Sequence, residues 1–247
     1  MSSSSSSTSR SAPALRPAAL LLALLSGLAV SGAAAQVIIR NPSIPSEEHI
    51  VYSQSEGGQV GSLSDDVHLV TEAGKTWLEV RQLSIKNDAY FRFEPDNLFL
   101  IHSELTTREN GVVIRRSTDV LEVKASFKPD ELPITDPAAL FFMLRGFPWG
   151  ERDSARVVFL GSGGSPAFSF SLSVKGKETL SIQGRSLECW KAELGMDGVF
   201  GALVPRTRLW FLVAAPHYMV RYEGLSGAPG SPKRILELHD YRSGGGS

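Results

Sequence analysis

Clusters of turn-forming residues recur along the chain and leave room only for short segments of regular structure between them. Gly-Gly, Asn-Gly, Ser-Gly and proline-containing groups separate stretches that are rich in β-branched and aromatic residues. Such stretches favour strands, while glycine, asparagine and proline favour the tight turns between antiparallel neighbours. The sequence therefore predicts an all-β fold, a predominantly antiparallel curved sheet or partly open barrel.

Predicted strands lie on both sides of a break near the middle of the chain. Those before the break are His49–Ser55, Asp66–Thr71, Thr76–Ile85, Leu98–Thr107, Val112–Ser117 and Val120–Ser126. Those after it are Ala155–Leu160, Ala167–Lys175, Glu178–Ile182, Ser186–Leu194, Arg206–Ala214, Tyr218–Glu223 and Lys233–Tyr241. The clearest hairpin joins the strands on either side of Asn110-Gly111, because this pair readily takes the positive φ angles of a tight turn.

The break itself has the composition of one short helix. Prolines in the stretch 129–137 discourage a continuous strand, and an apolar run follows them. Asp136 can cap the free backbone amides, Pro137 suits the first helical position, and Gly146 suits the end. We predict a helix at about 137–145 that plugs or flanks the sheet.

The first 35 residues have the composition of an export signal. Arg10 and Arg16 precede the apolar run Ala18–Leu25, and small residues follow, with Ala33 and Ala35 at the −3 and −1 positions of a cleavage site. A retained membrane anchor is the alternative, but the run is shorter than the roughly 20 apolar residues that span a bilayer. The pattern predicts a signal peptide at 1–35.

Residues 36–242 are predicted to form a single β-rich domain, followed by a flexible tail at 243–247. Cys189 is the only cysteine, so the domain has no intramolecular disulfide, and no cysteine lies beside the cleavage site to carry a lipid. We expect a periplasmic protein; outer-membrane association or secretion from the cell are the alternatives. No segment after the signal is long and apolar enough to predict a transmembrane helix.

The charge balance argues against a nucleic-acid partner. Removing Arg10 and Arg16 with the signal leaves 23 of the 25 basic residues against 26 acidic ones, a net charge of −3. No cluster of lysine and arginine remains that would neutralise a phosphate backbone. Nucleic-acid binding is therefore not expected.

A set of short segments in the second half of the chain, residues 134–241, has a distinctive order and spacing. The segments are Thr135–Arg145, Lys177–Leu180, Gly184–Leu194, Arg208–Phe211, Met219–Gly224 and Ile235–Leu238. In this order they resemble a bacterial periplasmic family known only as domain of unknown function 3108 (DUF3108). The chain departs from the family at Gly184–Trp190, where members tend to read Ala-Gly-Thr/Ser-Phe. The resemblance implies an exported all-β domain shaped as a curved sheet or partly open barrel, and no established activity.

No motif for catalysis, a cofactor or a metal is found in the sequence. The five histidines show neither His-x-His nor His-Glu-x-x-His spacing. The glycine-rich stretch Gly161–Ser165 lacks the spacing of a nucleophile elbow or a phosphate loop, and it is interpreted as a hairpin loop. We predict a protein that is not an enzyme, with no catalytic, cofactor-binding or metal-binding residue.

Aromatic side chains suggest an apolar ligand site if the sheet closes only in part. Most of them are needed in the core, because apolar burial is the main stabilising term for a domain without disulfides. The residues proposed to line a ligand cavity are Trp190, Trp210 and Phe211. The residues proposed as cations at its rim are Arg206, Arg208 and Arg221, with solvation of the outer face as the alternative.

Three functional hypotheses follow from the sequence. The first is a non-enzymatic envelope module that binds a lipid-like, apolar or amphipathic ligand, or an envelope component, along a curved sheet. The alternative is a structural or interaction protein that pairs with an envelope partner through an edge strand. An envelope hydrolase is the third, and it needs a set of convergent polar residues that the motifs do not supply. The sequence leaves the ligand, the partner and the oligomeric state open.

Overall fold

The computed structural model describes residues 39–109, 112–119, 127–128, 130–134, 136–160, 166–198, 201, 204–227 and 230–244. These residues form one 13-stranded sheet with a short helical segment. The strands before the helical segment are β1 (Glu47–Glu56), β2 (Gln59–Glu72), β3 (Lys75–Ser84), β4 (Asn87–Phe93), β5 (Leu100–Glu109), β6 (Val112–Asp119) and β7 (Glu131–Ile134). Those after it are β8 (Ser154–Leu160), β9 (Pro166–Ile182), β10 (Arg185–Met196), β11 (Thr207–Leu212), β12 (Met219–Leu225) and β13 (Lys233–Ser243).

The sheet consists of two meanders joined where β1 pairs with β13. Its order is β6-β5-β4-β3-β2-β1-β13-β12-β11-β10-β9-β8-β7, so the strands of each meander follow one another along the chain. All neighbours are antiparallel except β7 and β8, which are parallel. In the described part of the chain the order is not closed, and β6 and β7 are its two edges. The predicted all-β, mostly antiparallel sheet is confirmed.

Three strand predictions differ from the structure. The sequence prediction missed β4, whose Ala89, Phe91 and Phe93 are buried, because its polar start and the nearby Pro95 hide the alternation. It also missed β7, which contains Pro133; edge strands tolerate proline because their outer amides need no partner in the sheet. The two strands predicted around Gly176 are one strand, β9, since an irregularity in its pairing with β10 accommodates this glycine at φ +99°.

The predicted hairpin strands pair as expected. Glu109 lies opposite Val112 in the β5–β6 pair. Several predicted features lie outside the described residues. They are the turn Asn110-Gly111 of this hairpin, the strand Val120–Ser126, the loop Gly161–Ser165 and the signal, which falls within residues 1–38. At the other end of the chain, β13 extends to Ser243, and the amide of Gly244 donates to the Glu47 carbonyl at 2.9 Å.

The predicted helix is a single run of helical turns between β7 and β8. A 3₁₀ turn (Pro137–Ala139), the helix α1 (Leu140–Met143) and a second 3₁₀ turn (Leu144–Gly146) make up this helical segment. The Asp136 carboxylate accepts a hydrogen bond from the Ala138 amide at 2.9 Å, as an N-cap does. Gly146 is required because of a close contact and not because it ends the helix. A Cβ at this position would lie 2.5 Å from the Arg40 carbonyl oxygen.

The helical segment packs against the sheet through its apolar side chains. The ring of Phe142 stacks on Phe93 of β4 with centroids 4.9 Å apart, and Phe141 meets Tyr222 of β12 edge to face at 5.1 Å. Leu144 is fully buried. Apolar burial of this kind holds the segment in place at roughly 25 cal/mol per Å² removed from water. No helix in the described residues is both long and apolar enough to cross a membrane.

Candidate functional site

A buried ion pair joins the helical segment to the first strand. The Arg145 guanidinium donates two hydrogen bonds to the Glu48 carboxylate, at 2.5 and 2.9 Å, and a third to the Pro216 carbonyl at 3.1 Å. Its guanidinium also lies 5.1 Å from the ring centroid of Phe142. Glu48 and Arg145 are 3% and 2% exposed. Two buried charges are tolerated only when they satisfy one another in this way.

A second carboxyl group, that of Asp65, lies close to this pair. Asp65 stands in β2 between Ile50 of β1 and Gln82 of β3, on the face whose Ile50 and Ala89 belong to the core. Burial raises its pKa to about 6, although the 2.9 Å hydrogen bond from Gln82 and the charge of Arg145 act in the opposite direction. Asp65 therefore titrates close to neutral pH, unlike an ordinary aspartate.

Tyrosines line the same region of the core. Burial, together with the charge of Asp65, raises the pKa of Tyr52 well above its ordinary value. Tyr218 stacks on Tyr241 with ring centroids 4.2 Å apart, and burial and the Glu48 carboxylate raise the pKa of Tyr241. These phenols stay neutral at physiological pH.

The predicted ligand-lining residues are divided between the two faces of the sheet. Trp190 lies opposite Phe211 in the β10–β11 pair, whereas Trp210 lies opposite Lys191. Successive residues of a strand point to opposite faces, so Trp190 and Phe211 share one face and Trp210 occupies the other. The three side chains therefore do not form one surface. Whether any of them contacts a ligand stays a prediction.

Trp190 is half-buried beside a second tryptophan. Its ring is nearly parallel to that of Trp149, with centroids 6.5 Å apart, and Lys177 lies 5.0 Å from its centroid. Trp149 is fixed by a 3.1 Å hydrogen bond from its indole nitrogen to the Leu144 carbonyl and packs at 5.1 Å against Phe211. Phe211 itself is fully buried beneath them.

The opposite face of the same strands carries charged side chains around Trp210. The indole nitrogen of Trp210 donates to Glu178 at 3.2 Å, and Lys191 and Arg221 lie 5.5 and 5.9 Å from its ring centroid. Because the stems of these cations and the neighbouring carboxylates cover the indole, only 5% of Trp210 is exposed.

The three predicted rim cations are all paired with carboxylates. Arg206 lies 3.6 Å from Glu193, Arg208 lies 3.7 Å from Glu223, and Arg221 lies 2.6 Å from Glu223. Arg208 and Arg221 are on the Trp210 face, opposite to Trp190 and Phe211. A role of these arginines toward an anionic headgroup stays a prediction.

The edge strand β6 is exposed along its whole length. All eight of its residues are exposed, including Val112, Val113 and Ile114, which keep 48–57% of their surface in water. One side of its backbone pairs with β5, and no other strand in the described part of the chain pairs with the opposite side. Such an edge presents free N–H and C=O groups and is a template for a further strand.

The other edge, β7, is protected against such pairing. It has only four residues, and Pro133 among them has no N–H group to donate. Short strands and prolines are common means of blocking an edge. The two edges therefore differ in their capacity to accept a partner strand, and β6 is the open one.

The histidines and the cysteine are distributed singly over the molecule. His49 lies 2.5 Å from Asp66, and His102 lies 2.6 Å from Asp119. Across the ranges that the structure describes, no three histidine, cysteine, aspartate or glutamate side chains group as metal ligands would. Cys189 is buried, which raises the pKa of its thiol to about 12, so this cysteine is a poor nucleophile.

Comparison with known proteins gives structural neighbours. No family model matches the chain, DUF3108 included, and no curated protein matches it. A β-barrel-like protein of domain of unknown function DUF1849 from Brucella abortus is 9% identical, with a TM-score of 0.39, covering 84% of this chain and 98% of its own. A DUF1329 family protein from Desulfovibrio piger is 9% identical, with a TM-score of 0.31 and coverages of 83% and 89%.

The hypothetical lipoprotein YmcC from Escherichia coli is 15% identical, with a TM-score of 0.36, covering 78% of this chain and 86% of its own. The likeness concerns the fold alone. The chain is structurally similar to these bacterial proteins, and its resemblance to DUF3108 is not supported by a family model.

The polar cluster around Glu48, Asp65 and Arg145 was not predicted as a site from the sequence. Glu48 and Arg145 are 97 residues apart, so no local motif joins them. One signal was present: Arg145 ends the apolar run Leu140–Leu144, where a charge on a packed helical face requires a partner.

Proposed function

We propose that this chain is an exported bacterial envelope protein that works without catalysis, as an interaction module which adds an extended segment of a partner to its sheet at β6. The observation that carries the proposal is the exposure of all eight β6 residues beside an unpaired outer edge in the described part of the chain. A partner strand gains main-chain hydrogen bonds at such an edge, and side-chain contacts add specificity.

Two further features support this function. The export signal predicted at 1–35 directs the chain to the envelope, where extended segments of other proteins are available as partners. A non-catalytic role agrees with the high thiol pKa of Cys189. The proposed partner is an envelope protein, and neither nucleic acid nor a cofactor takes part.

Site-specific photo-crosslinking in the native host tests the proposal. A photoreactive amino acid is placed at Val113 on β6 and, as a control, at Leu83 on β3, which is 47% exposed and is paired with Ser64 of β2 and Asp88 of β4. We expect an adduct with one envelope protein from position 113 and none from position 83. Equal adducts from both positions, or none from 113, would contradict the proposal.

A second candidate function is binding of an apolar or amphipathic ligand at Trp149 and Trp190. The half-buried, nearly parallel indoles with Lys177 above one of them favour it, because such a surface can contact an acyl chain and an anionic headgroup together. The buried Phe211 beneath them would support the site from the core side.

Native mass spectrometry of protein purified from periplasm without detergent tests the second candidate. A bound acyl species that is lost in Trp190→Ala and retained in Lys191→Ala, on the opposite face, would support it. A bare polypeptide would argue against a carrier function and leave the β6 interaction as the proposal.

A further inference from the structure

We propose that the segment which binds at β6 is an extended strand of another protein with acidic residues at its centre, and that β6 selects against pairing with a second copy of this chain. The inference rests on the proposed function, since it names the chemistry of the partner at the same edge. In β6 three apolar residues are followed by Arg115 and Arg116.

The two arginines project to opposite faces at the middle of the strand. Arg115 lies opposite Thr106 and Arg116 opposite Leu105 in β5, so β5 offers neither of them a carboxylate directly across the strands. In the described residues neither arginine forms an ion pair, whereas Asp119 at the end of β6 lies 2.6 Å from His102. The centre of the open edge therefore carries one positive charge on each face.

The arginines disfavour self-association through this edge. Two copies related by a two-fold axis would pair their β6 strands antiparallel. The axis is perpendicular to the sheet, so only residues on the same face can lie opposite one another, and the two registers that pair seven residues place Arg115 opposite its copy or Arg116 opposite its copy. Like charges directly opposite are destabilising. Charged residues on an edge strand are a common means of preventing such association.

A partner strand with adjacent acidic residues complements the same positions. Two neighbouring carboxylates on an extended strand point to opposite faces, as Arg115 and Arg116 do, so each meets one guanidinium. Threonine and valine on either side suit the exposed β-branched residues Val112, Val113 and Ile114. The occupant is thus an acidic segment between β-branched residues, in a protein other than this one.

Fluorescence anisotropy with three labelled eight-residue peptides tests the inference. The peptides contain threonine and valine, and their fourth and fifth residues are Glu-Glu, Gln-Gln or Lys-Lys. In the antiparallel register these positions lie opposite Arg116 and Arg115. We expect the Glu-Glu peptide to bind roughly tenfold tighter than the Gln-Gln peptide at low salt, and the advantage to shrink in 0.5 M salt.

A charge-reversed variant provides the control. Arg115→Glu with Arg116→Glu changes two exposed side chains and leaves the core intact, so the variant is expected to fold and to prefer the Lys-Lys peptide. Arg206→Glu, which reverses a charge far from β6 in the sheet order, is expected to keep the wild-type preference.

The outcomes separate the inference from the function it rests on. Equal affinity for the Glu-Glu and Gln-Gln peptides would refute the acidic selection and leave strand addition standing. Failure of all three peptides to bind would refute the inference together with strand addition at β6. A concentration-dependent dimer of the wild-type chain that is abolished by Ile114→Lys would refute selection against self-pairing.

Discussion

Replacing Asp65 with asparagine is expected to remove a pH dependence from the stability of the fold. Asp65 lies on the core face of β2, and burial raises its pKa from 3.8 to about 6. Because the folded-state pKa is above the unfolded value, the folded protein retains a proton between these two pH values that the unfolded chain has released. The contribution of Asp65 to stability is therefore full below pH 3.8 and is lost as the pH rises through 6.

The size of the expected change in stability follows from the pKa shift of Asp65. A shift of about two pKa units corresponds to about 3 kcal/mol, the cost of holding the Asp65 carboxylate charged in the folded state above pH 6. The Asp65→Asn variant carries no charge at any pH. The free energy of unfolding of wild type minus that of the variant is therefore expected to fall by about 3 kcal/mol between pH 3.5 and pH 7.5.

Urea unfolding followed by tryptophan fluorescence at a series of pH values measures this difference. Asp240→Asn is a control of opposite sign, because the hydrogen bond from Arg242 lowers the pKa of Asp240. In that comparison the stability of wild type relative to the variant is expected to rise with pH. Parallel curves for wild type and Asp65→Asn across the whole range would refute the placement of Asp65 in a desolvated site.

Three further predictions concern the packing of the core. Arg145→Met is expected to cost about 3–5 kcal/mol in urea unfolding, because it leaves the Glu48 carboxylate buried without its partner, and adding Glu48→Leu is expected to recover most of the loss. Gly146→Ala is expected to cost about 1–3 kcal/mol by the same measurement, since its Cβ meets the Arg40 carbonyl at 2.5 Å; an unchanged stability would contradict that close approach. Phe211→Ala is expected to cost about 3–5 kcal/mol in thermal unfolding, and a loss below 1 kcal/mol would show that this side chain does not support the core.

Much of the sheet was predictable because its strands alternate apolar and polar residues between clear turns. The strands of the second meander show this, and so does the capped helical segment with Asp136. β7 was not predictable in the same way, because its pairing depends on β8, which begins 20 residues after Ile134 in the chain. Propensity describes a segment by itself, whereas an edge strand with a proline is stabilised by its neighbour.

The site was predictable only in part. The period of a strand already places Trp210 and Phe211 on opposite faces, so the two could not line one surface. The exposed edge at β6 could not be recognised from its sequence, because Val112–Ile114 reads as an ordinary buried segment until the sheet order places it at the margin. The ion pair of Glu48 and Arg145 depends on a contact between distant parts of the chain.

Hydrogen–deuterium exchange with and without the Glu-Glu peptide tests strand addition at β6. Amides within Val112–Asp119 are expected to become protected when the peptide binds, while those of the blocked edge Glu131–Ile134 exchange as before. Saturating peptide that leaves exchange in Val112–Asp119 unchanged, or that protects only another strand, would contradict it.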